Sequence, residues 1–474
     1  MVAPFYRNTV LSDSSNTAFS SIGLQPGLMQ NLESLGYNTM TPIQAQSLPN
    51  IIAGKDVIGQ GKTGSGKTAA FGLGLLNSLD VKRFYVQSLV LCPTRELADQ
   101  VAKEIRRLAR AIHNIKVLTL CGGMPFGPQI GSLEHGAHIV VGTPGRVEEH
   151  VRKNNLDLSK LSVLVLDEAD RMLEMGFQAA LDAIIETMPK QRQTLLFSAT
   201  FPEEIQAIAS RIMTAPVMTQ VESTHDTSTI KQRFYKVDND DQRLLAVRLL
   251  LLQHKPESAV VFCNTKRETQ MVADDLAGHG FTALALHGDL EQRDRDLTLV
   301  RFANGSATVL VATDVAARGL DIESLDAVIN YHIARDMEVH VHRIGRTGRA
   351  GAKGIACSIY SEKEHFKLAR LEETMGQQVV NDKLPPTSVL DYPAPKPKMA
   401  TLQIDGGKKQ KVRPGDIVGG LTGENGIAGT EIGKISVFDN SSYVAVALPV
   451  MKTALNKIRD GKLKGRNFRV RAIT

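Results

Sequence analysis

The chain of 474 residues is 42% hydrophobic and 22% charged, with a formal net charge of +6; these are ordinary globular proportions at a length that suits two or three domains. Its longest apolar run, 244–252, is interrupted by Arg248 and falls well short of the ~20 residues of a membrane-spanning helix. The first residues lack the charged start and apolar stretch of a signal peptide, so the expected location is cytoplasmic.

Residues 1–18 are expected to form a flexible tail. From 19 to 217, short apolar runs (SLVLCP, HIVVGTP, SVLVLDEAD, QTLLFSAT) alternate with helix-length amphipathic stretches, the pattern of a parallel sheet covered by helices. Residues 218–230 lack periodicity and are rich in Ser and Thr, as a short hinge is. The α/β pattern returns over 231–381 with SAVVFCNT, TALALHG, ATVLVATD and DAVINYH. A Pro-rich linker, 382–399, follows; its prolines forbid helix and favour an extended course. The last segment, 400–474, reads as strand, helix, two strands, helix and strand, an RRM-like α+β order, but Tyr443 is the one ring where stacking aromatics would normally lie.

Charge is unevenly shared. Residues 399–474 hold 13 Lys and Arg against 6 Asp and Glu, while the remainder hold 43 against 44. All the excess positive charge is therefore in the tail, which points to a polyanionic partner. Its clustered cations, Lys408, Lys409, Lys411, Arg413, Lys462, Lys464, Arg466 and Arg469, are the candidate phosphate contacts. The four cysteines, Cys92, Cys121, Cys263 and Cys357, are far apart and form no CxxC pair, which suits buried thiols in a reducing compartment.

Gly61 to Thr68 spell GxxxxGKT between a strand-like DVIGQ and a helix-like AAFGLGLL. In that context glycines let backbone N–H groups of Thr63, Gly64, Ser65 and Gly66 turn onto phosphates at a helix N-terminus. Lys67 is expected to reach the β- and γ-phosphates and Thr68 to ligate Mg2+. The magnesium site needs a strand-end carboxylate, for which Asp167 is the candidate. Glu168 is placed to orient or deprotonate the attacking water, and Asp170 to hold another motif in place.

Asp167-Glu168-Ala169-Asp170, with TPIQ (41–44), PTRELA (93–98), TPGR (143–146), SAT (198–200), ATDVAARGLD (312–321) and HRIGRTGRAG (342–351), resemble the DEAD-box RNA helicase family over roughly residues 19 to 370. The resemblance implies two RecA-like domains and ATP as the nucleotide. By it Gln44 reads the adenine edge, Phe19 stacks on the ring and Asp321 touches the ribose. Arg346 and Arg349 are arginine fingers that make hydrolysis depend on closure of the two lobes, and Ser198, Thr200, Asp170 and His342 couple nucleotide state to strand separation. The RNA-facing motifs fall on Arg95, Gly123, Thr143 and Arg146 in the first lobe and on Thr265, Arg295 and Thr313 in the second. Gly61 departs from the family's usual Ala.

IDGGKKQKVRPGDIVGGLTG, IGKISVF and GKLKGRNFRVR resemble the C-terminal domain of the DbpA subfamily, which implies a target in large-subunit ribosomal RNA, namely a hairpin within the pre-ribosomal particle. The expected function is then local unwinding of RNA near that hairpin during ribosome assembly. An alternative is an ATP-gated RNA clamp or chaperone with little unwinding, disfavoured by intact Glu168, Arg346 and Arg349. A duplex-DNA translocase would carry a different acidic box and no TPIQ.

Overall fold

The computed structural model describes residues 7–8, 17–61, 64–221, 230–317, 325–334, 337–348, 354–375, 378–423 and 425–473. The chain divides into two compact units, Met1–Thr224 and His225–Thr474. No helix among the described residues is long and apolar enough to cross a membrane.

The first unit is built on strands β1 (Arg7–Asn8), β2 (Val57–Gln60), β3 (Ser88–Leu91), β4 (Val117–Leu120), β5 (Ile139–Gly142), β6 (Val163–Asp167), β7 (Gln193–Ser198) and β8 (Val217–Gln220). All pair in parallel, in the order β1-β8-β2-β7-β6-β3-β5-β4. The near-continuous apolar runs have a simple cause, since a parallel sheet is covered on both faces. Successive side chains alternate between two cores: Val90, Val141, Val163, Val165 and Leu195 in one, Leu89, Leu91, Val140, Leu164 and Leu196 in the other, as a period of two demands. Two expectations are corrected here. Arg7 pairs with Val217 and Asn8 with Met218, so the segment read as a free tail contributes an edge strand. The hinge placed at 218–230 starts later, because 217–220 are in β8; 222–229 lie outside the described residues.

The second unit opens with a six-stranded parallel sheet of β9 (Ile230–Val237), β10 (Ala259–Cys263), β11 (Ala283–Leu286), β12 (Val309–Thr313), β13 (Ala327–Asn330) and β14 (Gly354–Ser361), in the order β11-β12-β10-β13-β14-β9. The Pro-rich stretch then proves to be packed, not free. Leu384, Val389 and Ala394 lie against the core of this sheet, and Asp382 pairs with Arg233 at 2.9 Å. The expectation of an extended course without helix is corrected too, because Thr387–Asp391 form a 3-10 turn, and the segment runs as a strap over the lobe.

The strap leads into β15 (Met399–Ile404), β16 (Ile432–Val437), β17 (Ser442–Ala447) and β18 (Val470–Ile473). These form an antiparallel sheet in the order β16-β17-β15-β18, with helices Pro414–Thr422 and Met451–Asp460, the RRM arrangement expected from the sequence. Leu402, Ile404, Val444 and Val446 face the helices. Thr401, Gln403, Tyr443 and Ala445 face the other way and are nevertheless buried. Thr401 explains why: its hydroxyl accepts from Asn304 Nδ2 at 2.8 Å and bonds Ser306 Oγ at 2.6 Å, so this sheet face rests on the preceding lobe. Tyr443 is 4% exposed, edge-on to Phe438 at 5.6 Å.

Under this lobe lies a buried charge network. Arg243 donates to Glu364 Oε2 at 2.7 Å, and His332 joins Glu364 at 3.1 Å and Glu268 at 3.0 Å. Burial pushes the Glu364 carboxyl up, but the hydrogen bond from His332 and the charge of Arg243 outweigh it and hold it at about 2. A depressed carboxyl stabilises the fold above its unfolded value and loses that contribution as pH falls towards its folded one. Glu364→Gln is therefore expected to cost about 2 to 4 kcal/mol at pH 7, measured by urea unfolding. The variant should also show a shallower loss of stability than the parent between pH 4.5 and about 2.

Candidate nucleotide and RNA site

At the C-terminal end of β2 the chain turns through Gly64 (φ +83°) and Gly66 (φ +96°), conformations open to glycine, and enters the helix Lys67–Ser78. A Cβ at Gly66 would stand 2.6 Å from Gln44 Nε2. The amide is that close because it donates to the Gly66 carbonyl at 3.1 Å, while its oxygen accepts from Thr41 N at 2.9 Å. Gln44 is thus built into the wall of the loop. Thr41 Oγ1 is buried there with no hydrogen-bond partner among the described residues, and Thr68 and Ser65 are half-buried. Lys67 is buried and its ammonium donates to the Gly61 carbonyl at 2.6 Å. Thr63 lies outside the described residues.

Two strands away in the same sheet, β6 ends in Asp167, 3% exposed. Burial raises its carboxyl to about 7 against the opposing pull of Lys67, with Glu168 adding to the rise. Glu168 sits at φ 53°, ψ 51°, a left-handed backbone that a side chain rarely takes, and such strain gathers at functional sites. Asp170 Oδ2 accepts from both Thr200 N at 3.1 Å and Thr200 Oγ1 at 2.9 Å, and Asp170 N donates to Ser198 Oγ at 3.3 Å. Gly61 N in turn donates to the Ser198 carbonyl at 3.0 Å. The phosphate loop, the acidic turn and the Ser-Ala-Thr turn are therefore one hydrogen-bonded assembly. Phe19 is 3% exposed and packed in the core with its ring at the edge of Tyr37, 6.3 Å away.

Along the same edge, the ends of β3, β4 and β5 bring together Arg95, Gly123, Thr143 and Arg146. Gly123 (φ +69°) passes so close to Arg95 that a Cβ would meet its Nη1 at 2.4 Å. Gly122 N reaches Thr143 Oγ1 at 3.5 Å.

In the second unit Thr265 and Thr313 follow β10 and close β12. Thr265 Oγ1 caps its helix by accepting from Glu268 N at 3.2 Å, Thr313 Oγ1 accepts from Ala316 N at 3.3 Å, and Arg295 Nη2 donates to the Ala316 carbonyl at 3.0 Å. His342 lies on the helix Met337–Ile344, and Arg346, two residues beyond it, is half-buried. Asp321 and Arg349 lie outside the described residues. Arg343, next to His342, is internal: it pairs with Asp314 at 2.7 Å and bonds Asn330 and the His332 carbonyl. Sequence reasoning missed the Asp314–Arg343 pair, because nothing in HRIGRTGR marks which arginine points inward.

In the RRM-like module, Lys408, Lys409, Lys411, Arg413, Lys462, Lys464, Arg466 and Arg469 are all exposed. They flank one end of the sheet, where the loop after β15 meets the loop before β18. Asp405 N donates to the Arg469 carbonyl at 2.9 Å and Lys464 Nζ to the Lys411 carbonyl at 3.1 Å. The β16–β17 turn joins them, Lys408 N donating to the Phe438 carbonyl at 2.8 Å. Among the described residues, Lys464 is the one of the eight paired with a carboxylate, Asp416, at 3.3 Å.

This arrangement, a phosphate loop and acidic turn on one parallel sheet, a second such sheet and a basic module, defines a nucleotide-driven enzyme that works on RNA. Known proteins agree. Residues 41–208 match the DEAD/DEAH box helicase family, 241–351 the helicase conserved C-terminal domain and 401–472 the DbpA RNA binding domain. The chain is 55% identical to the ATP-dependent RNA helicase DbpA of Escherichia coli, over 96% of this chain and 100% of that one. It is 44% identical to the DEAD-box ATP-dependent RNA helicase CshA of Bacillus cereus, over 77% of this chain and 69% of that one. Among solved structures, S. cerevisiae Dbp5 bound to RNA and ADP BeF3 is similar at a TM-score of 0.69 and 29% identity, covering 78% of this chain and 96% of that one. Mss116p bound to ssRNA and AMP-PNP is similar at 0.71 and 26%, covering 80% and 82%. The chain belongs to the DEAD-box family of ATP-dependent RNA helicases.

Asp170→Asn tests the central hydrogen-bonded assembly. Whichever way the new amide turns, a donor faces a donor, Thr200 on one side or Arg171 N on the other. A loss of about 1 to 3 kcal/mol is expected in urea unfolding of the first unit; an unchanged midpoint would contradict the assembly.

Proposed function

We propose that the chain unwinds RNA locally beside a structured segment of large-subunit ribosomal RNA, in the cytoplasm during ribosome assembly, with the C-terminal module choosing the site. The observation that carries this reading is the placement of the module's charge. Eight exposed cations border one end of the sheet, while the face on which RRMs stack bases is buried against the preceding lobe. Such a surface suits the phosphates of a folded RNA, since phosphate contacts position a partner and do not themselves read bases.

In the core, Lys67 holds the β- and γ-phosphates, with the backbone of Thr63, Gly64, Ser65 and Gly66 around them. Gln44 reads the adenine, with Phe19 behind it and Asp321 at the ribose. A buried carboxylate whose pKa is raised by burial is a site that a hard cation would relieve, and Asp167 and Thr68 supply the oxygens that would hold Mg2+. Magnesium there would neutralise charge building on the phosphates. Glu168 orients the attacking water and takes its proton. Arg346 and Arg349 approach the γ-phosphate on closure and stabilise its transition-state charge. Arg95, Gly123, Thr143 and Arg146, with Thr265, Arg295 and Thr313, hold the RNA backbone. Ser198, Thr200, Asp170 and His342 pass the nucleotide state to that grip.

ATP hydrolysis by the full chain should be stimulated strongly by large-subunit ribosomal RNA, weakly by unrelated RNA of equal length and not by DNA; equal stimulation by DNA would overturn the reading. Replacing Lys408, Lys411 and Arg413 together by Glu should raise the ribosomal RNA concentration for half-maximal stimulation about tenfold or more, with the maximal rate kept. An unchanged half-point would remove the module's basic end from the RNA contact.

A further inference from the structure

One buried amide ties together the two elements of the first unit that we read as RNA-facing, the Gly122-Gly123 loop and the arginine of TPGR. Gln129, on the helix Phe126–Glu134, is 9% exposed. Its Nε2 donates to the carbonyl of Cys121, directly before the glycine pair, at 3.1 Å. Its Oε1 accepts from Arg146 Nη1 at 3.0 Å and bonds His150 Nε2 at 2.9 Å. A guanidinium only donates and a carbonyl only accepts, so these partners dictate which way the amide turns.

The surroundings hold the same guanidinium from other sides. Arg146 Nη1 also donates to the Met124 carbonyl at 2.9 Å, and its Nε pairs with Glu149 at 3.1 Å. Its face lies over the ring of Phe126 at 5.3 Å. That ring stacks on His150 at 4.2 Å with 10° between planes, so the histidine that bonds Gln129 also backs the ring beneath Arg146. With its oxygen already accepting from Arg146, the amide can only accept from His150 as well, so the imidazole carries its hydrogen on Nε2. Among the described residues Arg146 Nη2 makes no hydrogen bond, which leaves that nitrogen for a phosphate.

We propose that Gln129 is a positioning residue for RNA: with His150 and Phe126 behind it, it presets Arg146 and links that arginine to the Gly122-Gly123 loop before RNA arrives. The proposal rests on the reading of Arg146 and Gly123 as RNA contacts given above. Presetting the guanidinium removes the ordering that binding would otherwise have to supply. It should show in RNA affinity and not in nucleotide affinity, because none of the bonds of Gln129 reaches the phosphate loop.

The test uses the full chain and reads the RNA concentration for half-maximal stimulation of ATP hydrolysis, the rate at saturating RNA, the KM for ATP and the melting temperature. Gln129→Met should raise the RNA half-point about five- to tenfold, with the maximal rate and ATP KM within about twofold of the parent. Gln129→Glu keeps the acceptor facing Arg146 and His150 but sets a carboxylate oxygen against the Cys121 carbonyl, so it should recover only part of the affinity. Arg146→Ala should raise the half-point at least as far, and the double variant no further than Arg146→Ala alone, since both act through one guanidinium.

If Arg146→Ala leaves the half-point unchanged, the reading of Arg146 as an RNA contact fails and takes the proposal with it. If Arg146→Ala raises it while Gln129→Met does not, the positioning role alone is overturned. Additive effects, or a matching fall in maximal rate and ATP affinity, would make Gln129 a packing residue and overturn the proposal. Should Gln129→Met fail to fold, Phe126→Leu at a half-buried position carries the same comparison by removing the ring beneath Arg146.

Discussion

A carboxylate buried at the end of a central strand sets the terms for the first unit. Asp167 is 3% exposed and its pKa is pushed to about 7 by burial, a state that needs positive charge close by. Lys67 supplies it, and Lys67 is itself fixed by the Gly61 carbonyl. Gly61 hangs by its N–H from Ser198, Ser198 accepts from Asp170, and Asp170 grips Thr200. The circle closes on the acidic turn where it began. The phosphate loop and Thr200 are thus joined by a continuous chain of bonds of 2.6 to 3.3 Å.

The second unit treats charge differently. Arg243 and Arg343 are among its largest fully buried side chains, held by Glu364 and by Asp314. Buried pairs of this kind contribute little net stability against apolar substitutes but are costly to break. Arg343 braces the strand ends beside Thr265 and Thr313 through Asn264 and Asp314, whereas Arg243 holds the Tyr331 and Ile359 carbonyls. The cations of the RRM-like module lie at the opposite extreme, exposed and nearly unpaired with acids, where they suit counterion exchange with a polyanion.

Much of this was legible in the residues. Parallel sheets follow from apolar runs with helical spacing between them, and GxxxxGKT after a strand admits few other readings. The RRM order was visible because alternation in SYVAVALP and the amphipathic VMKTALNKI have different periods. What escaped depends on pairing between distant residues. Arg343 and Arg346 are alike in sequence, yet Arg343 is drawn inward by Asp314, 29 positions away. The strap over the second lobe was read as a linker because prolines report backbone restriction, not the apolar surface that Leu384, Val389 and Ala394 find. Likewise Thr401 and Ala445 look like an open sheet face until Asn304 and Ser306 are seen to cover it. Gln129 carries no motif at all; only its three bonds mark it.

The most direct measurement is release of a short strand from an RNA duplex placed beside a large-subunit ribosomal hairpin, compared with the same duplex lacking the hairpin, with and without ATP. A helicase targeted by its basic module releases the strand in an ATP-dependent way and faster when the hairpin is present. ATP consumption with the strand still paired would mark an RNA clamp, and equal release from both substrates would mean that the module does not direct the motor.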